Sequence, residues 1–578
     1  MKRAIGIVFF AIFILAVKGI LSCPLARAQN PPPQQQAGGQ ERARELQEQQ
    51  EKLRKEIGKE KPKTTIEENL PEGKAAGPAA GEKALIKKIT VTGATLVSET
   101  DIRKIVSPYE NKELYLADME EIAGRISDLY RQRGYVTSRA YLPPQKIENA
   151  SLDIKVIEGI MGDVKVQGNK YFKTDLYMKY MTLNKGEPFN YKELQKDMRL
   201  INQKEDRSVK AVITPGKEPG STDVLLKAED RLPIHAGFTY DDYASRYLRK
   251  NRYLATVSDN NLLGRDDSLV LQYQLGDAAD YRYIGARYLY PLTTSTNVGF
   301  YAADSTFALG KQYRTVMSRG KSRMYSAYVN QDLINEEDIS VTWNTGFDYQ
   351  DTFNFLLGQE SSRDRLRVAK TSLDIDTTDN FGRSLLIPEF SYGIPGIMGG
   401  SKAVDSRSSR DGSGGKFTKT TVNLLRLQQM PNSSTLFWKT QLQFSPYILD
   451  SEEQFQLGGI NNVRAYPAAE FVGDNGYSTT FEYSIPPYGV SRDFKFPFSN
   501  ARFYDAFRAV CFYDWANVHL DRPQTGERKN TTRSGYGIGF RINLPENFSL
   551  RSDFAWPLDK TPSDGKHLHS YLEIKKEF

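Results

Sequence analysis

The chain has 578 residues, of which 26% are charged, and a formal net charge of +7. Its 78 Lys and Arg are interleaved with 71 Asp and Glu along nearly the whole length, so no basic patch indicates nucleic-acid binding. The mean hydropathy of −0.54 argues against a protein built from membrane-spanning helices.

A secretion signal is predicted at the N-terminus. Lys2 and Arg3 precede an apolar run over residues 4–17, and Ala26-Arg27-Ala28 has the small residues of a cleavage site. We therefore expect residues 1–28 to be a signal peptide. A membrane anchor and a lipoprotein site at Cys23 are the alternatives, but the run is shorter than the roughly 20 apolar residues that span a bilayer.

The next segment has too few apolar residues to build a core. Residues 29–40 are a Gln/Pro tract, and residues 41–57 predict a helix rich in Glu, Gln, Arg and Lys. This helix is either solvated or lodged in a polar cavity such as a barrel lumen. Residues 58–84 have the Gly, Pro, Lys, Glu and Ala composition of a flexible linker.

Two related modules follow, over residues 85–159 and 160–230. The strand that ends at Thr92-Gly93 returns at Gln167-Gly168, which is an internal period of 75 residues. Each module then has two helical stretches and two strands, and in the first module we expect the longer helix to stop at Gly134. The order β-α-α-β-β predicts a small sheet with helices on one face.

Short alternating segments separated by Gly, Asn, Asp and Ser turns fill residues 231–578. They predict a transmembrane β-barrel, whose strands face lipid with every second side chain and a polar lumen with the others, so that mean hydropathy stays low. The 33 Tyr and 29 Phe suit aromatic girdles. Both barrel ends are expected on the periplasmic side, which requires an even strand number, and we expect 16 strands. A soluble β-sandwich is the alternative.

The sequence gives little support for a catalytic function. His235, His519, His567 and His569 show no metal-ligand spacing with Cys or acidic residues, so no metal or cofactor site is expected. The three glycines from Gly535 to Gly539 open an alternating strand, which favours tight strand packing over nucleotide binding. Cys511 is the single cysteine after signal removal, which excludes a disulfide scaffold.

One arginine stands out in the loop from Gln456 to Pro467, because Arg464 lies between Val463 and Tyr466 in a glycine-rich stretch. The flanking segments 436–444 and 477–485 alternate like strands, so the loop joins strands of one sheet. From residue types alone, Arg464 is either an exposed arginine at the barrel rim or a buried one paired with a carboxylate.

The first module carries Val91-Thr92-Gly93-Ala94-Thr95-Leu96, a run from Gly134 to Gln145, and Val156-Ile157-Glu158-Gly159. In these motifs it resembles the first POTRA domain of two-partner secretion transporters, the outer-membrane exporters of haemagglutinins and haemolysins. The resemblance covers residues 85–578. It implies an inward-folding loop at residues 451–476.

In that family, an arginine at the loop tip meets an aspartate in a strand motif Phe-x-Asp-x-Gly. Here the resemblance points to Arg464 and Asp514, with Val463, Tyr466 and Phe512 beside them, as a latch between loop and barrel wall. Ala465 and Ala516 stand where the family has glycine. The added methyls put the loop conformation in question.

The resemblance further implies a periplasmic capture site in the first module. Its residues are Arg139, Tyr141, Leu142, Pro143, Pro144 and Gln145. An extended partner would add a strand to a sheet edge such as that of residues 136–141. The expected partner is a large secreted protein with an N-terminal secretion domain.

The chain is thus expected in the outer membrane of a Gram-negative bacterium, as a translocator that needs no nucleotide hydrolysis and is not an enzyme. Further expected partners are outer-membrane lipid, lipopolysaccharide and the outer-membrane assembly machinery, for which the terminal Phe578 is a candidate signal. The alternatives are an insertase that assembles other barrels and, less well matched to residues 85–230, a porin or barrel enzyme.

Overall fold

The computed structural model describes residues 65–68 and 83–578, apart from 246–247, 249, 278–279, 311–316 and 498. The predicted signal peptide and the predicted polar helix lie outside the described residues. None of the helices in the described part is long and apolar enough to cross a membrane.

The first module has a three-stranded sheet in the order β3 (Lys88–Thr92), β6 (Ser151–Ile157), β5 (Arg139–Tyr141). A separate pair joins β2 (Ala84–Ile86) to β4 (Lys112–Leu114). Its helix α2 ends at Gly134, which adopts a left-handed φ of 100° and caps the last turn. Ile122, Ile126 and Tyr130 on one face of this helix are fully buried against the sheet. The elements are β2 (Ala84–Ile86), β3 (Lys88–Thr92), α1 (Glu99–Val106), a 3₁₀ turn (Ser107–Tyr109), β4 (Lys112–Leu114), α2 (Leu116–Arg133), β5 (Arg139–Tyr141) and β6 (Ser151–Ile157).

The second module repeats this plan around a four-stranded sheet in the order β1-β8-β9-β7. Strand β1 (Ile66–Glu68) lies within the predicted flexible linker and pairs in parallel with β8, Ile66 opposite Ala211. The linker is therefore not wholly irregular, because the outer edge of β8 offers backbone partners to it. The other elements are β7 (Ile160–Gln167), α3 (Thr174–Met178), α4 (Tyr191–Asn202), β8 (Arg207–Pro215) and β9 (Ser221–Asp230).

The internal repeat rests on shared loop chemistry. Gly93 and Gly168 both have positive φ, and a Cβ on either would lie 2.4 Å from a carbonyl oxygen of the neighbouring strand. Glu158 accepts the backbone N–H groups of Thr95 and Leu96. Asp230 does the same for residues 170–172 in the second module. In both modules a carboxylate at the end of the last strand fastens the loop that leads to the first helix.

The remaining described chain forms a closed barrel of sixteen antiparallel strands, as predicted, with β10 paired to β27. A short helix, α5 (Phe503–Ala506), and two 3₁₀ turns (Ile397–Gly399 and Pro431–Ser433) lie in its loops. The barrel strands are β10 (Ile234–Asp241), β11 (Arg252–Asp259), β12 (Ser268–Gly276), β13 (Tyr281–Pro291), β14 (Thr296–Ala308), β15 (Arg319–Asn335), β16 (Ile339–Leu356), β17 (Gln359–Asp379), β18 (Gly382–Gly393), β19 (Phe417–Met430), β20 (Ser434–Phe444), β23 (Asn475–Ile485), β24 (Phe507–His519), β25 (Asn530–Leu544), β26 (Phe548–Pro557) and β27 (His569–Glu577).

Strands β15, β16 and β17 are the longest of the described barrel, at 17, 18 and 21 residues. They extend mainly at the rim away from the two modules. The added residues of β15 and β16 stay paired with the neighbouring strands and those of β17 stay paired with β16, so these strands extend without the apolar alternation on which the sequence prediction relied. These three strands therefore rise beyond the length that a membrane span needs.

Candidate functional site

The segment between β20 and β23 folds back into the barrel. It contains a two-stranded hairpin of its own, β21 (Phe455–Leu457) with β22 (Phe471–Gly473), and nearly every residue from 451 to 474 is buried. Asn462 shapes the tip, because its side-chain oxygen accepts the backbone N–H groups of Gly458 and Val463. The inward loop, residues 451–476, thus occupies part of the lumen as a folded element.

Arg464 meets Asp514 in a two-point contact at the end of this loop. Its Nε lies 2.9 Å from Asp514 Oδ2 and its Nη2 lies 3.0 Å from Asp514 Oδ1. The backbone N–H of Arg464 also donates to Asp514 Oδ2, at 3.1 Å. The guanidinium carbon lies 3.3 Å from the ring centre of Phe512. Arg464 is only 1% exposed, which excludes the alternative of an arginine at the barrel rim.

The surrounding charges were not found from the sequence. Nη1 of Arg464 lies 3.0 Å from Glu482 and 3.2 Å from Asp553. Arg541 bridges the same two carboxylates, and Arg551 contacts Asp553 at 2.8 Å. Three arginines therefore face three carboxylates in a buried, balanced network across β23 to β26. The alternation of apolar and polar residues along β23, β25 and β26 could have indicated these residues, because it places charged side chains at lumen-facing positions.

Three glycines on β25 make room for this network, consistent with the predicted tight strand packing. A Cβ on Gly535 would lie 2.4 Å from the Cβ of Ala465, and one on Gly537 would lie 2.2 Å from the ring of Phe512. A Cβ on Gly539 would lie 2.4 Å from the carboxylate of Asp553. The methyl group of Ala465, which stands where the family has glycine, is therefore accommodated by the missing side chain of Gly535.

The other predicted latch residues pack around Arg464. Val463 and Tyr466 are fully buried, and the hydroxyl of Tyr466 donates to the carbonyl of Lys560 at 2.9 Å. Tyr571 on the last strand donates to the carbonyl of Arg464, at 2.9 Å. The loop tip is thus held by the barrel wall through its backbone as well as through its charge.

A second set of contacts holds the base of the inward loop at the rim away from the modules. Arg410, from the loop after β18, pairs with Asp474, and Lys419 pairs with Glu453. The carboxylate of Asp474 also accepts the backbone N–H groups of Leu449 and Asp521, each at 2.8 Å. Three neighbouring loops therefore meet over this part of the lumen.

A polar cavity of about 1750 Å³ lies on the other side of the loop tip. Its walls include lumen-facing residues of the barrel, such as Asp348 and Lys370, and loop residues 458–462. The second module supplies part of the wall, through residues 202–207. The cavity therefore connects the second module with the tip of the inward loop.

The second module is joined to the barrel by a buried ion pair. Arg207 contacts Asp266, in the turn after β11, with Nη1 and Nη2 at 2.8 and 2.7 Å. Tyr180 donates to the same carboxylate at 2.6 Å, and Asp266 holds a positive φ of 64°. The rings of Phe172, Tyr177 and Tyr180 lie 5.0 to 5.4 Å from the guanidinium carbon. Such a pair is costly to break, because each partner would leave a buried charge behind.

The candidate capture residues lie along the edge of the first module's sheet. Strand β5 pairs only with β6 among the described strands. Arg139 and Tyr141 are exposed and share one face, whereas Ala140 between them is buried. Leu142 packs partly against the core, and Pro143 and Pro144 follow it. Gln145 bridges to the backbone of Asp153 through both amide atoms, at 2.6 and 2.9 Å, and so extends the edge beyond β5.

The remaining predicted sites are placed as follows. Phe578 is 72% exposed, and its backbone N–H donates to Ala236 at 2.8 Å where the barrel closes. Within the described residues, no three His, Cys, Asp or Glu side chains cluster so as to hold a metal ion.

A family model described as haemolysin secretion/activation protein ShlB/FhaC/HecB matches residues 220–542. The chain belongs to this family. Residues 84–159 match a ShlB-type POTRA domain, and residues 160–208 match a POTRA model described as a surface antigen variable number repeat.

Relatives carry transporter names. The chain is 22% identical over 493 residues to the heme/hemopexin transporter protein HuxB of Haemophilus influenzae, covering 83% of this chain and 84% of the relative. It is 25% identical over 426 residues to the outer membrane transporter CdiB of Escherichia coli, covering 70% and 71%. The protein is a two-partner secretion transporter of the outer membrane, with its POTRA domains in the periplasm.

Solved structures share the fold. CdiB from Escherichia coli superposes with a TM-score of 0.71 at 21% identity, over 96% of this chain and 100% of that one. BamA from Haemophilus ducreyi, lacking POTRA domains 1–3, gives a TM-score of 0.53 at 14% identity, over 86% of this chain and 100% of that one. The two modules, which match POTRA family models, are named POTRA 1 and POTRA 2.

Proposed function

We propose that this transporter captures a large, unfolded secreted partner in the periplasm and exports it through the barrel without hydrolysing nucleotide. The observation that carries the proposal is the polar cavity, because POTRA 2 forms part of its wall and the inward loop lies at its far side. A chain held by the POTRA domains is therefore delivered straight into the lumen.

Capture is proposed at the outer edge of β5. Main-chain pairing at a sheet edge suits an extended partner, because it requires no folded surface. The outer edge of β8 in POTRA 2 is already paired with Ile66–Glu68, whereas that of β5 pairs with no described strand. Tyr141 and Ile157, which are 38% and 46% exposed, offer apolar contacts for alternate side chains of the partner, beside Arg139 and Lys155 on the same face.

Photo-cross-linking tests the capture site directly. A photoreactive amino acid at Tyr141 is expected to cross-link to the partner's N-terminal secretion domain. The same group at Arg125, which is exposed on helix α2 on the other side of the module, serves as the matched control. Equal cross-linking at both positions, or none at Tyr141, refutes capture at this edge. Deletion of residues 85–230 is further expected to abolish partner binding.

Export is proposed to require release of the inward loop. Arg464 ties the loop tip to β24, and the tip lines the cavity through which the partner has to pass. The polar helix predicted over residues 41–57 is proposed to occupy the lumen between transport events. Folding of the partner outside the cell then draws the chain forward.

A further inference from the structure

The outer surface of the barrel changes from apolar to cationic towards the extracellular ends of strands β14 to β17. On β15, Met324 and Ser326 line the lumen, so the alternate residues face outward. In the middle of the strand these are Tyr325, Ala327 and Val329, which form part of the lipid-facing band. Towards the extracellular rim they are Arg319, Lys321 and Arg323. Three successive outward positions above the apolar band are therefore cationic.

Neighbouring strands add further cations and a few carboxylates to this surface. Asp304 on β14 lies 3.2 Å from Arg323 and 3.8 Å from Lys321, so one carboxylate is shared by two cations. Beyond β16, strand β17 contributes two more outward arginines, Arg363, paired with Glu360 at 3.5 Å, and Arg365. The next outward position, Arg367, is fully buried against Asp351 and the carbonyl of Met398, so it is not part of this surface. Arg319 forms no ion pair with any acidic side chain of the described chain.

A groove of about 490 Å³ opens beside Arg319 and Lys321. Its walls combine these two cations with the apolar side chains of Met317 and Phe355 and with one carboxylate, Asp280. Met317 is 49% exposed. Cations directly above the apolar outward residues Tyr325, Ala327 and Val329 of the same strand match a lipid that carries phosphate.

Three strands on the other side of the barrel lack this cationic row. The outward residues at the extracellular ends of β20, β25 and β27 are Phe444, Thr532 and Ser570. A barrel needs no charged residues at the extracellular ends of its strands to span a membrane. The cationic row on β15 is therefore better explained by a binding partner. Its sign requires that partner to be anionic.

We propose that the outward extracellular ends of β14 to β17 bind an anionic outer-leaflet glycolipid, with Arg319, Lys321 and Arg323 holding its phosphate groups. Guanidinium groups contact phosphate oxygens in pairs, and Lys321 adds a point charge. The next outward residues along β15 towards the membrane, Tyr325, Ala327 and Val329, contact the acyl chains. The bound lipid fixes one wall of the barrel in the membrane, opposite the wall that holds Arg464.

Binding of lipopolysaccharide to the full chain in detergent tests this proposal, with fluorescently labelled lipopolysaccharide as the probe. The double variant R319Q/K321Q is expected to bind at least tenfold more weakly than the parent protein. R492Q/K495Q removes the same charge from exposed residues of a periplasmic loop and is expected to bind like the parent. The conservative variant R319K/K321R, which keeps both charges, is expected to retain most of the affinity.

Two ligand controls separate lipid phosphate from other sources of affinity. Lipopolysaccharide stripped of its phosphates is expected to lose the difference between parent and R319Q/K321Q. Inorganic phosphate at the same concentration is expected not to compete. Equal affinity of parent and R319Q/K321Q overturns the proposal, as does full competition by inorganic phosphate. Heat-resistant migration of each barrel on gels shows that the variants are folded.

Discussion

At the scale of single residues, Arg464 makes the buried ion pairs that tie the tip of the inward loop to the barrel wall. Removing either Arg464 or Asp514 leaves buried charges without their partner, at an expected cost of about 3 to 5 kcal/mol. R464A and D514A are each expected to lower the thermal midpoint of the barrel and to reduce secretion. R533A is the control, because Arg533 packs on Phe471 without an ion pair to any described carboxylate, and its effect is expected to be smaller.

The exchange of the two charges tests their coupling. R464D/D514R keeps three arginines and three carboxylates in the network, so partial recovery of stability is expected relative to either single change. Additive losses in the double variant contradict a direct contact between residues 464 and 514.

Asp197 in POTRA 2 provides a prediction about pH. Burial raises the pKa of its carboxyl to about 6. The hydrogen bonds that Thr182 donates to this carboxylate favour the charged form, but their effect is smaller than that of burial. Its pKa in the unfolded chain is about 3.9, so the folded module binds more protons between pH 4 and 6. The contribution of Asp197 to the free energy of unfolding therefore rises by about 2 kcal/mol as the pH falls from 6 to 4.

The variant D197N removes this titration but keeps an oxygen for the backbone of Thr182. In a fragment spanning residues 65–230, D197N is expected to be more stable than the parent at pH 7.5, and the difference is expected to shrink at pH 4.5. Urea unfolding followed by circular dichroism measures both. Glu193 and Lys196, which act on Asp197, are the same in the two fragments. A difference that does not change with pH contradicts the raised pKa.

At the scale of elements, a buried ion pair joins POTRA 2 to the barrel turn 260–267 and is expected to fix their relative position. R207A is expected to release POTRA 2 from the barrel, because it strands Asp266 and empties the space among three aromatic rings. Spin labels at the exposed residues Lys210 and Lys495 are expected to show a broader distance distribution in this variant. K185A removes an exposed ion pair of POTRA 2 and is the control. Unchanged distances in R207A contradict a fixing role for the pair.

At the scale of the whole molecule, the barrel has a lumen that is partly filled from within. The inward loop fills the part next to β23 to β27, and the cavity below it opens towards POTRA 2. Deleting residues 29–57 is expected to raise single-channel conductance in planar bilayers, because the predicted polar helix is proposed to occupy this lumen. Replacing the same residues with a Gly/Ser linker of equal length distinguishes loss of the helix from loss of chain. Unchanged current in both variants contradicts a plug.

From the sequence, alternation predicted the barrel and helical spacing predicted the two α/β modules, because both are local patterns that survive without a partner. The even strand number followed from placing both barrel ends on the periplasmic side, and the POTRA assignment followed from the resemblance of the motifs. Only the tertiary structure placed Glu482, Asp553, Arg541 and Arg551 around Arg464, since these residues are separated along the chain and meet through strand register. The same holds for Arg207 with Asp266 and for the strand Ile66–Glu68. Which charges form ion pairs, and which strand a short segment joins, depends on the positions of these residues in the folded protein. A local sequence pattern contains no information about those positions.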